Sequence, residues 1–92
     1  MNDGAPGDED RRRRRLRHRS HHRGTKELDI LLGAFADAHL GAMDDGALRC
    51  YERVLTVEDP VMLDWLFGRA QPPDEAMNDV LVMLLDFARR RR

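Results

Sequence analysis

Hydrophobic positions divide the chain into a segment without periodicity and a longer segment with a helical pattern. Within residues 2–22, Leu16 is the only large hydrophobic residue, so ordering this segment would cost more conformational entropy than its burial could offset. We therefore predict that residues 1–22 form a disordered N-terminal arm, which is acidic at first and basic afterwards.

A helical pattern begins at Leu28. From there, hydrophobic residues recur at the i, i+3, i+4, i+7 spacing that marks one face of a helix. The first of these helices should end near Gly41. The clearest stripes are Leu28, Leu31, Leu32 and Phe35; Ala47, Cys50, Tyr51 and Val54; and Met77, Val80, Leu81 and Leu84, which Leu85 and Ala88 extend.

Polar residues and glycines mark the ends of these helices. Asp44 or Asp45 is a natural N-cap for the second helix. A short helix then follows, for which Asp59 is the expected N-cap, Pro60 the first helical residue and Gly68 the residue just past the end.

Links of only a few residues join these helices. This predicts an all-α protein, a small four- to five-helix bundle preceded by the disordered basic arm. The helical domain would cover residues 23–88. Residues 89–92 would form a basic tail against the negative end of the last helix.

The formal net charge of -1 hides a sharp division of charge along the chain. Residues 11–26 carry eight arginines, one lysine and no acid, whereas residues 27–88 carry thirteen acids and three arginines. The arginine run could neutralise phosphates, but no aromatic residue is interleaved for base stacking. We expect no specific nucleic-acid partner. A nucleic-acid-binding or generic helical interaction module that uses the arm is kept as the alternative function.

Histidine and cysteine positions favour structural roles. His18, His21 and His22 lie among arginines that would oppose a dication, and His39 is expected to cap a helix end. Cys50 falls on a hydrophobic stripe, which indicates a small buried hydrophobic residue. We therefore predict neither a metal site nor a catalytic residue.

Motifs of enzymes and membrane proteins are not found in the sequence. There is no glycine-rich nucleotide loop, nucleophile elbow or paired-cysteine motif, so we predict that the chain is not an enzyme. No apolar run approaches the roughly 20 residues that span a bilayer, so we predict no membrane insertion.

The acidic start and the single cysteine favour a bacterial cytoplasm over a mitochondrial matrix.

The stretch "HRGTKELD" joins the arm to the first regular helix. If Gly24 is the N-cap, Glu27 stands at the third helical position, where its carboxylate can bond back to the backbone. This interpretation explains Gly24 and Glu27 but leaves Arg23 unexplained. A position without a side chain, between a guanidinium and a carboxylate, suits close docking of another protein equally well. The residues alone leave both interpretations open.

Two blocks of sequence resemble a known family. "RGTKELDILLGAFADAHL" and "YERVLTVEDPVMLDWLFGRAQPPDE" are similar to the small FAD assembly factors of succinate dehydrogenase, called SdhE in bacteria and succinate dehydrogenase assembly factor 2 in mitochondria. The resemblance covers residues 23–85. It implies a five-helix assembly chaperone that binds the flavoprotein subunit of succinate dehydrogenase, and also that of fumarate reductase. The factor would promote covalent flavinylation, a bond that the client forms itself, and would need no cofactor of its own.

The resemblance also assigns site residues. Arg23, Gly24, Glu27 and Asp29 would form the client-binding site. Gly24 would allow close approach, Arg23 would pair with an acidic or carbonyl group of the client, and Glu27 would order the loop. Thr25 departs from the leucine or methionine that is usual in the family, and we expect this change to weaken one apolar contact.

Overall fold

The computed structural model describes residues 6–91, which form five α-helices and no strand. The predicted all-α, five-helix architecture is confirmed. No helix in residues 6–91 combines the length and the hydrophobicity needed to cross a bilayer. The helices are α1 (Pro6–His21), α2 (Lys26–His39), α3 (Asp45–Val54), α4 (Asp59–Leu66) and α5 (Asp79–Arg91), with 3-10 turns at Leu40–Ala42 and Asp74–Ala76.

The prediction of a disordered arm is wrong for Pro6–His21, which form α1 and pack against α2. Leu16 and Ser20 are both fully buried. The Ser20 hydroxyl donates to the Leu16 carbonyl at 2.7 Å and shares a short hydrogen bond with the Tyr51 hydroxyl, so its burial leaves no polar group unsatisfied. Residues 1–5 of the predicted arm lie outside the described residues.

Two arginines of α1 fasten this helix to the rest of the protein. The Arg12 guanidinium lies 2.6 Å from the Asp45 carboxylate and 3.5 Å from that of Glu52. Arg13 donates to the Met43 carbonyl at 2.7 Å. Part of the arginine run therefore stabilises the fold, because Arg12 and Arg13 contact carboxylate and carbonyl groups of the same chain.

The hydrophobic core lies between α1, α2, α3 and α5, and α4 closes one side of it. Its aromatic centre is the pair Phe35 and Tyr51, whose ring centroids are 5.6 Å apart. Cys50, which was predicted to be buried, is only partly buried, but it packs against this core. His39 packs its ring against Phe35 and Phe87.

The predicted starts of two helices need correction. Asp59 does not cap α4 but is its first residue, and Glu58 precedes it without a side-chain cap. Met77 does not belong to α5. It is 37% exposed, and the Asn78 side chain accepts from the Leu81 N–H at 2.8 Å to begin that helix.

Other predicted ends are confirmed. The Asp44 side chain caps α3 by accepting from the Ala47 N–H at 2.9 Å. Gly68, with φ of +76°, follows α4, where backbone hydrogen bonds from Gly68 to Trp65 and from Arg69 to Asp64 close the helix. At the other terminus, α5 continues to Arg91. The proposed division at residues 22/23 and 88/89 stays a prediction.

Candidate functional site

Arg23 lies in the turn between α1 and α2, with a side chain that is only 10% exposed. Its guanidinium contacts the Asp59 carboxylate at 2.9 Å and donates to the carbonyls of Leu55 and Val57, each at 2.7 Å. These acceptors belong to the start of α4 and the loop before it. Arg23 therefore clamps the α1–α2 turn to the α3–α4 loop, and its donors point into the protein.

Asp29 fixes the same turn from the other side. It lies in the first turn of α2, and its carboxylate accepts the backbone N–H of Arg23. Arg23 is thus held through its main chain by Asp29 and through its side chain by Asp59. Two carboxylates on two different helices together determine the path of the turn.

Gly24 is the exposed residue of this turn and has a φ of +103°. Residues with a Cβ rarely adopt that conformation. The space around the position is open, because the nearest atom to an added Cβ would be an Asp59 carboxylate oxygen at 4.0 Å. Backbone conformation, and not packing within the fold, therefore requires a glycine here.

The cap of α2 differs from the prediction. Thr25, and not Gly24, is the N-cap, and its hydroxyl accepts from the Leu28 N–H at 3.3 Å. Glu27 is consequently the second helical residue and does not form a capping box. Its carboxylate is exposed and makes no hydrogen bond or ion pair with any residue in the range 6–91. Thr25 therefore has a local structural role in this chain.

The four residues assigned by resemblance are thus brought together, but they do not have equal positions. Arg23 and Asp29 lie inside the turn, whereas Gly24 and Glu27 are exposed on its outer side. Asp59 was missed as a site residue, since its position after Glu58 and before Pro60 resembles an ordinary helix start. Asp59 has this role only in the folded chain, where it contacts Arg23, which is 36 residues away in the sequence.

Contacts with α1 shift the pKa values of two residues of α3, Asp45 and Tyr51. The hydrogen bond from Arg12 holds the pKa of Asp45 below its usual value. Burial raises the pKa of Tyr51 to about 12, although its hydrogen bond to Ser20 acts in the opposite direction. The buried phenol therefore stays neutral at physiological pH and serves as a packing and hydrogen-bonding group.

Three histidines lie near the C-terminal end of α1, with His18 and His21 in the helix and His22 just beyond it. The rings of His18 and His22 stack with centroids 4.3 Å apart, and His21 Nε2 lies 3.1 Å from the Asp37 carboxylate. Within residues 6–91, no group of three or more His, Cys, Asp or Glu side chains is arranged to hold a metal ion.

Comparison with known proteins places this chain in a family. A family model described as "Flavinator of succinate dehydrogenase" matches residues 14–88, which include the second half of α1, all of α2, α3 and α4, and most of α5. The chain is 43% identical over 81 residues to the FAD assembly factor SdhE of Acetobacter pasteurianus, covering 88% of this chain and 74% of the relative.

More distant relatives come from bacteria and from mitochondria. The FAD assembly factor SdhE of Legionella pneumophila is 33% identical over 58 residues, which are 63% of this chain and 73% of that protein. The mitochondrial succinate dehydrogenase assembly factor 2 of Dictyostelium discoideum is 33% identical over 72 residues, which are 78% of this chain but only 51% of the relative. No solved structure matches the chain. The family match over five helices, together with these relatives, shows that the chain belongs to the flavinators of succinate dehydrogenase, the FAD assembly factors.

Proposed function

We propose that this protein binds the flavoprotein subunit of succinate dehydrogenase and promotes the covalent attachment of FAD to it. The factor is a chaperone and not an enzyme, because the client forms the bond to the flavin itself. It carries no cofactor of its own, and the FAD becomes attached to the client. The names of the bacterial and mitochondrial relatives support this assignment.

The observation that carries the proposal is the exposed turn between α1 and α2 at Gly24, which we call the Gly24 turn. Its backbone is held at a φ of +103° by contacts of Arg23 with Asp29 and Asp59, so its shape is set before a partner arrives. A bare backbone edge allows another main chain to approach closely, and a preformed edge avoids the cost of ordering a loop on binding.

This geometry suggests different roles for the four site residues. Gly24 and Glu27 face the client, with the Glu27 carboxylate available for a donor on the flavoprotein. Arg23 and Asp29 act from inside by holding the turn. The contribution to flavinylation is positioning, and holding reacting groups in a productive arrangement removes a large part of a barrier without a catalytic residue on the helper.

We extend the proposal to the flavoprotein of fumarate reductase as a second client, and we expect the protein to act in a bacterial cytoplasm. Specific nucleic-acid binding is not part of the proposal. Arg12 and Arg13 of the arginine run are engaged with groups of the same chain.

The proposal is tested by in-gel flavin fluorescence of the flavoprotein in a strain that lacks its native factor. Gly24→Arg should abolish covalent flavinylation while the far-ultraviolet circular dichroism stays helical. Gly24→Ala carries the same backbone strain with a minimal side chain, so it should retain part of the activity. Gly41→Arg adds the same bulk and charge at an exposed glycine beyond the other end of α2, where a Cβ meets no atom within 4 Å, and should be fully active. Normal flavinylation with Gly24→Arg would show that the site is elsewhere.

A further inference from the structure

A shallow groove of about 310 Å³ lies beside the Gly24 turn. It is formed by the first two turns of α2 and by the ends of α4 and α5. Its lining is mostly apolar and consists of Glu27, Ile30, Leu31, Phe67, Ala88 and Arg91. We call these six residues the α2 groove.

Ile30 is the most prominent residue of the α2 groove. It is 62% exposed, the highest value among the large hydrophobic residues between 6 and 91. Its neighbours Leu28 and Leu32 are fully buried in the core. The fold therefore does not use the Ile30 side chain, although covering such a side chain by a partner would be favourable.

Two opposite charges border this apolar lining. Glu27 presents an exposed carboxylate that is unpaired within the described part of the chain. The Arg91 guanidinium lies over the Phe87 ring at 4.5 Å from its centroid, which holds the cation beside the groove. A complementary surface would have an apolar side chain flanked by one basic and one acidic group.

The α2 groove is continuous with the proposed client contact. Gly24, Glu27 and Ile30 are spaced three residues apart at the start of α2, and Glu27 belongs both to the contact and to the groove. A partner seated on the Gly24 turn would therefore extend over the groove.

From these observations we infer that the α2 groove seats an apolar side chain of the flavoprotein subunit, with a basic group of the client against Glu27 and an acidic group against Arg91. This inference rests on the proposed function. It adds a specificity determinant, because the Gly24 turn supplies shape whereas the groove supplies side-chain recognition.

Calorimetric titration of the full chain with purified flavoprotein subunit lacking covalent flavin tests the inference. Ile30→Ser should weaken binding about tenfold, which is the effect expected when a well-buried aliphatic contact is lost. The matched control is Val82→Ser, since Val82 is 53% exposed on α5 and does not line the groove, and its affinity should stay unchanged. Arg91→Glu should also weaken binding, whereas Arg49→Glu, an exposed charge reversal on α3, should not.

The possible results separate this inference from the proposed function. If Ile30→Ser binds the subunit as tightly as the unaltered chain while Gly24→Arg does not bind, the groove assignment is wrong and the proposed function stands. If Ile30→Ser instead dissociates a dimer of this chain in sedimentation velocity without changing client affinity, the occupant is a second copy and the inference is overturned. Failure of the unaltered chain to bind the subunit contradicts the proposed function itself.

Discussion

The Arg23 guanidinium contacts the Asp59 carboxylate at 2.9 Å and thereby joins two parts of the chain that are 36 residues apart. The pair ties the turn that carries Gly24 to the first residue of α4. The candidate site is therefore built into the tertiary structure and is not a flexible loop attached to it. Under the proposed function, substitutions in this motif would act both on stability and on client binding, and experiments must separate the two effects.

Arg23→Ala should destabilise the protein by about 2–3 kcal/mol, because it leaves the Asp59 carboxylate and the carbonyls of Leu55 and Val57 without their donor. Urea denaturation followed by circular dichroism measures this loss. The control is Arg69→Ala, whose ion pair with Asp64 is half exposed and should contribute less than about 1 kcal/mol. An Arg23→Ala protein of full stability that no longer binds client would instead assign Arg23 a direct contact.

Leu16→Ala should destabilise the protein by about 2–5 kcal/mol, since Leu16 is a fully buried residue of the core. For a domain of this size such a loss is a large part of the total stability. The change is measured by the urea midpoint. An exposed residue of the same helix, Arg14, offers the control, and Arg14→Ala should change the midpoint very little. Equal midpoints for all three proteins would mean that α1 is not packed in solution.

The α1 helix also changes how the role of the arginine run should be tested. Removing residues 1–22 would take Leu16 and Ser20 out of the core, so loss of function in the truncated chain would not indicate nucleic-acid binding. Reversing the exposed charges Arg14 and Arg15 to glutamate leaves the core intact. We expect this variant to support normal flavinylation of the client, measured by in-gel fluorescence. Loss of flavinylation together with loss of duplex DNA binding in fluorescence anisotropy would favour the alternative function.

Hydrophobic periodicity predicted α2, α3 and α5 because leucines and valines carry their buried faces. It could not predict α1, whose buried face contains only Leu16 and Ser20, with the flanks covered by arginine side chains that reach acids and carbonyls elsewhere. A hydrogen-bonded serine and charged side chains do not register in a hydrophobic pattern. The sequence does contain one indication of this helix, which is the i, i+4 spacing of Leu16 and Ser20.

The sequence could propose where the candidate site lies, but it could not predict the contacts that its residues make within the fold. Local sequence rules assigned Asp59 to a cap and left Arg23 unexplained, because each rule considers only neighbouring residues. Their pairing depends on how the α3–α4 loop is placed against the α1–α2 turn. The resemblance to a family proposed four residues for the candidate site, and the geometry separates those that hold the turn from those that face outward.

Tyr51 should give the protein an alkaline transition. Its pKa is raised from 10.0 to about 12 in the folded state, so the unfolded chain releases the phenolic proton first as pH rises. The stabilising contribution is complete below pH 10, decreases through the window from 10 to 12 and amounts to about 2–3 kcal/mol. Urea denaturation across this window should show a steeper fall for the unaltered chain than for Tyr51→Phe. Parallel slopes would mean that the phenol is not desolvated.

Gly33 lies in the middle of α2 beneath the ring of His21. A Cβ at this position would be 2.6 Å from His21 Nδ1, closer than such atoms approach, so Gly33→Ala must displace the ring. The displaced ring would also lose its contact with Asp37 at 3.1 Å. Alanine favours a helix interior over glycine by about 1 kcal/mol, so the steric effect and the helix propensity act in opposite directions.

A double-mutant cycle separates these two effects. Gly33→Ala alone should destabilise the protein or leave its stability unchanged, because the clash offsets the gain in helix propensity. In a His21→Ala background the same change should stabilise by about 0.5–1 kcal/mol, since the methyl group then has space. The four free energies of unfolding come from urea titrations. Additivity within about 0.5 kcal/mol would show that His21 does not pack over Gly33, because a contact that excludes a methyl group must appear as coupling between the two positions.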